Sequence, residues 1–277
     1  MSKGSAQGNM ISERHSQLFN TSWQIFQRNR RLAVDNFSQA ITGGKVPAPH
    51  TAQIETDQDM PEVIFNGPAG RIEGRYHHSK KANSPVALVL HPHPQFGGTM
   101  NNPVTYALFQ AFVNRGFSVL RFNFRGVGRS QGSFDAGIGE LSDAAAALDW
   151  LQAQNSDASQ CWIGGFSFGA WIAMQVLMRR PEIEGFISVA PPANMYDFSF
   201  LAPCPSSGII INGGIDQVAP QADVLKLVER LKTQKGITIE HATVDGANHF
   251  FESKLEPLAA MVGAYLDKRL AAAPEKG

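Results

Sequence analysis

Ser167 lies between two glycines, Gly165 and Gly169, with an apolar run before it and a helical pattern after it. A serine hydroxyl becomes a nucleophile at neutral pH when a neighbouring base accepts its proton. Glycines two residues to either side suit a serine on a sharp turn between a strand and a helix, because larger side chains would collide there. The pattern therefore indicates attack on a carbonyl carbon, and a glycine-rich packing turn is the structural alternative.

Two residues later in the chain have the chemistry to activate this serine. Asp216 and His249 each come shortly after an apolar run that is typical of a buried strand. An imidazole can accept the serine proton, and a carboxylate can orient the imidazole and stabilise its charged form. A turn aspartate and an ordinary loop histidine are the alternatives, and Asp245 is the nearest rival to Asp216. We expect Ser167, Asp216 and His249 to meet as a catalytic triad.

The rest of the chain must supply the elements that hold these three residues together. Two opening strands joined by a tight turn, followed by regular strand–helix alternation, predict an α/β fold with a doubly wound, mostly parallel sheet of about eight strands. The strands of an open parallel sheet gather ligand groups at their carboxyl ends, which is where all three residues fall. The predicted strands are 62–66, 71–77, 86–91, 118–123, 160–166, 185–190, 208–212 and 238–243, and the predicted helices are 103–115, 141–154, 170–179, 221–233 and 255–269.

The first 59 residues differ in character from the rest of the chain. Apolar residues recur at helical spacing within 18–41, and residues 1–45 hold six basic and two acidic side chains. We interpret residues 1–59 as an amphipathic helical extension with a linker, and residues 60–277 as one catalytic domain. Packing on the main domain or on a twin subunit, and contact with a membrane surface or partner, are the alternatives for 18–41.

The overall composition narrows the classes of function. Twenty-four basic residues balance 24 acidic ones, which argues against attraction of the whole chain to nucleic acid or an anionic membrane. Two cysteines, Cys161 and Cys204, are too few for a disulfide framework, although a single bridge between them is an alternative. No apolar run has the length of a secretory signal or a transmembrane helix. We expect a soluble, cytoplasmic protein.

Over residues 62–270 the chain resembles the α/β-hydrolase superfamily, in which the triad follows the order serine, acid, histidine. The run His91-Pro-His-Pro resembles the family's strand end and oxyanion loop. The run 123–132 resembles its Asp-x-Arg-Gly-x-Gly-x-Ser turn, with Asn123 in place of the acid. The His-Pro-His-Pro run and the Gly-Gly after it also resemble a bacterial subgroup near the dienelactone hydrolases. Those enzymes use a cysteine nucleophile where this chain has Ser167, so lactone specificity is not expected.

The resemblance implies an oxyanion hole after the strand at 86–91. Backbone amides aimed at a developing alkoxide are each worth about 3–4 kcal/mol. Pro92 and Pro94 have no N–H to donate, which leaves the amide of His93 as the first expected donor. The amide of Phe168, directly after the serine, is the second.

Other side chains are expected to shape the substrate site. Phe96 and Tyr196 are predicted to contact substrate, and Arg125 either braces the loops or binds an acidic substrate group. Many members of the superfamily carry a helical cap after the sixth strand, but here the segment 191–206 has room for no large cap. Its apolar residues form either a rim around the site or a loop packed on the sheet.

His91 and His93 also suggest a metal pair, because His-x-His spacing occurs in zinc sites. No third ligand follows at a recognisable spacing, and prolines interrupt the strand. We therefore predict no metal, and we expect His91 to be a buried structural histidine.

These observations together predict a serine hydrolase that needs no cofactor. The expected reaction is cleavage of a carboxylic ester with a small to medium acyl group, through an acyl-enzyme. The same triad would also serve a thioesterase or a small-peptide hydrolase. A catalytically silent fold that acts as an interaction module is the alternative outside enzymes.

Overall fold

A single sheet of eight strands runs through residues 61–272, the part of the chain that this computed structural model describes. Its spatial order is β1-β2-β4-β3-β5-β6-β7-β8. The predicted extension 1–59, with its amphipathic segment 18–41, lies outside the described residues. The strands are β1 (Glu62–Gly67), β2 (Gly70–His77), β3 (Val86–Leu90), β4 (Ser118–Phe122), β5 (Cys161–Phe166), β6 (Ile183–Val189), β7 (Ser207–Gly213) and β8 (Ile239–Val244).

The sheet is mostly parallel, as the sequence predicts. Strand β2 pairs antiparallel with β1 and with β4, and all other neighbouring strands are parallel. Every residue of β3, β4 and β5 is buried. Parallel strands have helices on both faces, so their continuous apolar runs form the centre of the hydrophobic core.

Five helices cover the two faces of the sheet: α1 (Pro103–Val113), α2 (Ile138–Gln154), α3 (Phe168–Leu177), α4 (Gln221–Lys232) and α5 (Leu255–Ala271). Crossovers between parallel strands are right-handed. The connections through α2, α3 and α4 move toward β8, so these helices lie on one face. The connection through α1 moves the other way, and α1 lies on the opposite face, where it contacts α5.

Most predicted boundaries agree with the structure to within two residues, but α2 begins three residues earlier than predicted. The side chain of Glu140 explains the early start. Its two oxygens accept hydrogen bonds from the backbone N–H groups of Asp135 (2.9 Å) and Gly137 (2.7 Å), so this fully buried carboxylate caps the helix.

The carboxyl ends of the six central strands point to one edge of the sheet, where the loops after β3, β4, β5, β6, β7 and β8 converge. These loops carry every residue that the sequence singles out for chemistry. None of the helices within residues 61–272 has the length and apolar character needed to cross a bilayer.

Candidate active site

Ser167 occupies a strained turn between β5 and α3. It has a positive φ of 55° and is the N-cap residue of the helix. The residue is buried, with 3% of its surface exposed. A Cβ on Gly165 would lie 2.4 Å from the carbonyl oxygen of Gly169, and one on Gly169 would lie 2.5 Å from that of Leu90. The two glycines are therefore required by backbone crowding around the serine.

His249 joins the serine to the aspartate. Its Nε2 lies 2.9 Å from Oγ of Ser167, and its Nδ1 lies 2.8 Å from Oδ2 of Asp216. A carboxylate can only accept, so the imidazole carries its proton on Nδ1, and Nε2 is left to accept the serine proton. The structure thus brings all three predicted residues into one hydrogen-bonded chain in a buried setting.

Asp216 is held in place by its own loop. Its Oδ1 accepts hydrogen bonds from the backbone N–H groups of Val218 and Ala219, each at 2.8 Å. These bonds fix the carboxylate so that the other oxygen faces the imidazole. The rival Asp245 is exposed on the turn after β8, as expected for a turn residue.

The loop after β3 forms a tight turn around His93. The carbonyl oxygen of His93 accepts from the N–H groups of Phe96 (3.1 Å) and Gly98 (3.0 Å). A Cβ on Gly98 would lie 2.0 Å from the carbonyl oxygen of Pro92, so only glycine fits there. The amide of Phe168 is at the first position of α3, where the helix offers no acceptor. The oxyanion role of these two amides stays a prediction.

His91 has the structural role that the sequence predicts. It is fully buried, its Nε2 accepts from the backbone N–H of Phe124 (3.0 Å), and its Nδ1 lies 2.6 Å from the carbonyl oxygen of Pro92. Burial lowers the pKa of this imidazole to about 3, so the ring is neutral. Residues 61–272 contain no group of three side chains arranged to ligate a metal ion.

Arg125 braces the loop after β4. Its guanidinium forms a two-pronged ion pair with Asp143, with N–O distances of 2.9 and 2.7 Å, and its backbone N–H bonds the same carboxylate. The hydrogen bond that its guanidinium donates to Asp143 raises the pKa of Arg125 above its usual value. Of the two roles considered for Arg125, the structure therefore supports the brace.

Sequence reasoning missed the partner of Asn123. The buried Glu73 on β2 accepts a hydrogen bond from the Asn123 side-chain amide (2.5 Å) and one from the backbone N–H of Arg129 (2.9 Å). The amide oxygen of Asn123 accepts from the backbone N–H of Met100 (2.8 Å). An aspartate here would place two carboxylates together, which explains why this chain has an amide where the motif has an acid.

An aromatic wall lies beside the serine. Its rings form a chain of contacts, with centroid separations of 6.0 Å between Phe134 and Phe168, 5.9 Å between Phe168 and Tyr196, and 4.3 Å between Tyr196 and Trp171. Phe96 is connected to the wall through the ring of His93 (4.6 Å). The predicted pocket residues Phe96 and Tyr196 therefore lie in one continuous cluster. Phe134 and Trp171, which no sequence motif indicates, belong to the same cluster. We call Phe96, Phe134, Phe168, Trp171 and Tyr196 the aromatic wall.

The mouth of the site is apolar as well. Ile215 and Met195, on loops at the carboxyl edge of the sheet, are 62% and 36% exposed, and Ile138, the first residue of α2, is 75% exposed. Much of the segment 191–206 packs against the core. Phe198 is buried, and the indole N–H of Trp171 donates to the carbonyl oxygen of Asp197 (3.1 Å).

The model of the X-Pro dipeptidyl-peptidase (S15) family matches residues 55–207. An uncharacterized protein from Rickettsia prowazekii is 54% identical over 211 residues, which cover 75% of this chain and 89% of that protein.

Two solved structures are similar over most of the chain. An Agrobacterium tumefaciens protein of unknown function, with a suggested α/β-hydrolase assignment, is 66% identical with a TM-score of 0.75, covering 76% of this chain and 97% of its own. A Xanthomonas campestris member of the α/β serine hydrolases without a lid is 32% identical with a TM-score of 0.68, covering 78% and 97%. These similarities confirm the predicted fold class, whereas the subgroup near the dienelactone hydrolases stays a prediction.

Proposed function

This chain belongs to the α/β-hydrolase superfamily, through its match to the X-Pro dipeptidyl-peptidase (S15) family, and we propose that it is a carboxylesterase acting on small to medium acyl groups. The hydrogen-bonded chain from Ser167 through His249 to Asp216 carries the proposal. It supplies a nucleophile, a base and a group that orients the base, all at one edge of the sheet.

In the first half of the reaction, Oγ of Ser167 bonds to the ester carbonyl carbon while its proton passes to Nε2 of His249. Asp216 stabilises the imidazolium that results, because its Oδ2 accepts the Nδ1 proton. The tetrahedral oxyanion is held by the amides of His93 and Phe168. The bond to the alkoxide oxygen then breaks, and His249 returns its proton to the departing alcohol.

Water completes the cycle. It gives a proton to His249 as its oxygen bonds to the acyl carbon. Collapse of the second oxyanion then breaks the bond to Oγ of Ser167, His249 returns the proton to this Oγ, and the carboxylic acid is released. No step draws on a cofactor. The exposed apolar residues Ile138, Met195 and Ile215 at this edge of the sheet suit an uncharged acyl ester.

The aromatic wall supports the proposal that the substrates carry small to medium acyl groups. Phe168 directly follows the serine, and the ring of Tyr196, from segment 191–206, contacts the ring of Phe168. The side chain of Arg230 anchors this segment by donating to the carbonyl oxygen of Phe198 (2.6 Å). Because segment 191–206 has room for no large cap, we expect a shallow apolar pocket at the serine, which favours short acyl groups.

The match to the S15 family favours a second candidate function, the removal of an Xaa-Pro dipeptide from the N-terminus of a peptide. The matched residues 55–207 include Ser167 but end before Asp216 and His249. The same acyl-transfer steps would apply, with an amine as the leaving group. Thioester cleavage would likewise use the triad without change.

Labelling with a fluorophosphonate tests the nucleophile. We expect one phosphonate on the wild type, measured by intact mass, none on Ser167→Ala, and one on the control Ser142→Ala, which changes an exposed serine of α2. A folded wild type that takes no label would support the silent interaction module and contradict the proposal.

A substrate panel then tests the reaction. We expect p-nitrophenyl acetate and butanoate to be hydrolysed by wild type and Ser142→Ala but not by Ser167→Ala. Matched thioesters and Xaa-Pro p-nitroanilides complete the panel. Serine-dependent turnover confined to the anilides or to the thioesters would replace the ester proposal by the peptidase or the thioesterase.

A further inference from the structure

The proposed oxyanion role of His93 uses only its backbone amide, but its imidazole ring also lies among aromatic side chains. Its ring centroid lies 4.6 Å from that of Phe96 and 4.9 Å from those of Phe134 and Phe168. The ring is therefore part of the surface formed by the aromatic wall. It touches the residue that directly follows Ser167, on the side where the proposed oxyanion hole lies.

Hydrogen bonding fixes the protonation state of this ring. Nδ1 of His93 accepts from the backbone N–H of Gln95 at 3.2 Å, so it carries no proton. Burial lowers the pKa of the imidazole to about 4, which keeps the ring neutral at pH 7. The single ring proton is then on Nε2. Among residues 61–272, no group accepts a hydrogen bond from this Nε2.

We propose that Nε2–H of His93 donates a hydrogen bond to an acceptor oxygen on the acyl chain of the substrate. The favoured substrate class is then esters whose acyl group carries an ether, keto or hydroxyl oxygen within a few bonds of the scissile carbonyl. The neighbouring Phe96, Phe134 and Phe168 rings offer no oxygen or nitrogen acceptor. A purely aliphatic acyl group would leave this half-buried N–H without a partner, which is unfavourable.

The acyl side, rather than the alcohol side, follows from the positions of the two histidines. His249 must protonate the leaving oxygen, so the alcohol lies toward His249, whose ring contacts Phe166 and Phe250. His93 contacts a different set of rings, beside Phe168. This assignment rests on the proposed function, because it needs Ser167 as the nucleophile.

Two isosteric esters test the proposal. In p-nitrophenyl methoxyacetate an ether oxygen replaces one methylene of p-nitrophenyl butanoate. The ratio of their kcat/KM values is divided by the ratio of their hydroxide-catalysed rate constants, which removes the difference in intrinsic reactivity. For the wild type we expect this corrected ratio to be about 5–10, the effect of one neutral hydrogen bond.

Substitutions at His93 assign the effect to the ring. His93→Phe keeps the backbone amide and the aromatic packing but has no side-chain donor. Its corrected ratio should be about 1, because the proposed hydrogen bond to the acyl oxygen is lost. His93→Gln retains an N–H donor and should recover part of the preference. The control His78→Phe, at the opposite end of the sheet, should leave the ratio as in the wild type.

Three results separate the possible failures. A corrected ratio near or below 1 in the wild type overturns the proposal even if no His93 variant folds. A wild-type ratio that His93→Phe leaves unchanged overturns it too, because the preference would then come from another group. Hydrolysis of both esters by Ser167→Ala would instead contradict the proposed function itself.

Discussion

Two buried histidines at the same edge of the sheet have opposite kinds of partner. His91, in the loop after β3, is bound on both ring nitrogens by backbone groups of the fold. His249, in the loop after β8, is bound on both ring nitrogens by side-chain oxygens, those of Ser167 and Asp216. Both are almost fully inaccessible to solvent, at 0% and 3% exposure.

Burial therefore does not distinguish the proposed catalytic histidine, His249, from the structural His91. A backbone N–H keeps its proton, so the bond it gives to His91 is permanent and serves the fold. A serine hydroxyl can lose its proton, so the same type of bond at His249 can lead to chemistry. The identity of the partner, rather than the exposure of the ring, separates structure from catalysis.

The largest expected effect is on the catalytic side of the comparison. His249→Ala removes the base and should lower kcat for p-nitrophenyl butanoate by about 10⁴-fold or more. The midpoint of thermal unfolding should shift by only a few degrees, because the exchange removes one loop side chain. Residual activity above a tenth of the wild type would show that another group serves as the base.

Substitution of Asp216 should have the second largest effect on kcat. Asp216→Asn leaves the shape of the side chain but favours the wrong tautomer of His249, and kcat should fall by about 10³–10⁴-fold. The matched control is Asp245→Asn on the exposed turn after β8, which should change kcat by less than about twofold. Equal losses in the two variants would reopen the choice of acid.

On the structural side, His91→Gln should affect stability more than chemistry. It disturbs a buried hydrogen bond to the N–H of Phe124, and the free energy of unfolding should fall by about 2–4 kcal/mol. Urea titration measures the loss, and kcat of the folded fraction should stay within about tenfold of the wild type. A fall in kcat comparable with that of His249→Ala would erase the distinction.

The contribution of His91 should also make the free energy of unfolding depend on pH. The pKa of its imidazole is about 3 in the folded chain and 6.5 when unperturbed, so the unfolded chain takes up the proton first. Its contribution is complete above pH 6.5 and is lost as pH falls toward 3, by about 1.4 kcal/mol per pH unit. Urea titrations at pH 7, 6 and 5 should show a loss of stability to which His93, with a pKa lowered to about 4, also contributes. His91→Gln should remove the His91 share and leave a shallower slope.

The smallest expected effect concerns the hydrogen bond between Asn123 and Glu73. Asn123→Asp places a second carboxylate against Glu73, and the free energy of unfolding at pH 7 should fall by about 1–2 kcal/mol. Adding Glu73→Gln should restore most of the loss, because one carboxylate then faces an amide again. A double variant no more stable than Asn123→Asp alone would exclude charge repulsion as the cause.

Sequence alone predicted the sheet and the triad because both leave local patterns. The strands are continuous apolar runs, and Ser167, Asp216 and His249 each stand at the end of one. Glycines around the serine report a backbone constraint that can be recognised without coordinates.

The remaining features depend on contacts between distant segments. Glu73 meets Asn123 only because β2 pairs with β4, and the two are 50 residues apart along the chain. Phe134 and Trp171 join the aromatic wall through loops whose paths no periodicity describes. The early start of α2 depends on the buried carboxylate of Glu140, whose helix-capping geometry is a property of the folded loop.

The anchoring of segment 191–206 has a kinetic consequence. Hydrogen bonds from Trp171 and Arg230 tie this segment to α3 and α4, so we expect turnover without movement of a lid over the serine. Discrimination between slim and bulky esters then occurs at entry, as a difference in KM. Transplanting a longer segment at this position would add a gate, and with it a step whose rate responds to solvent viscosity.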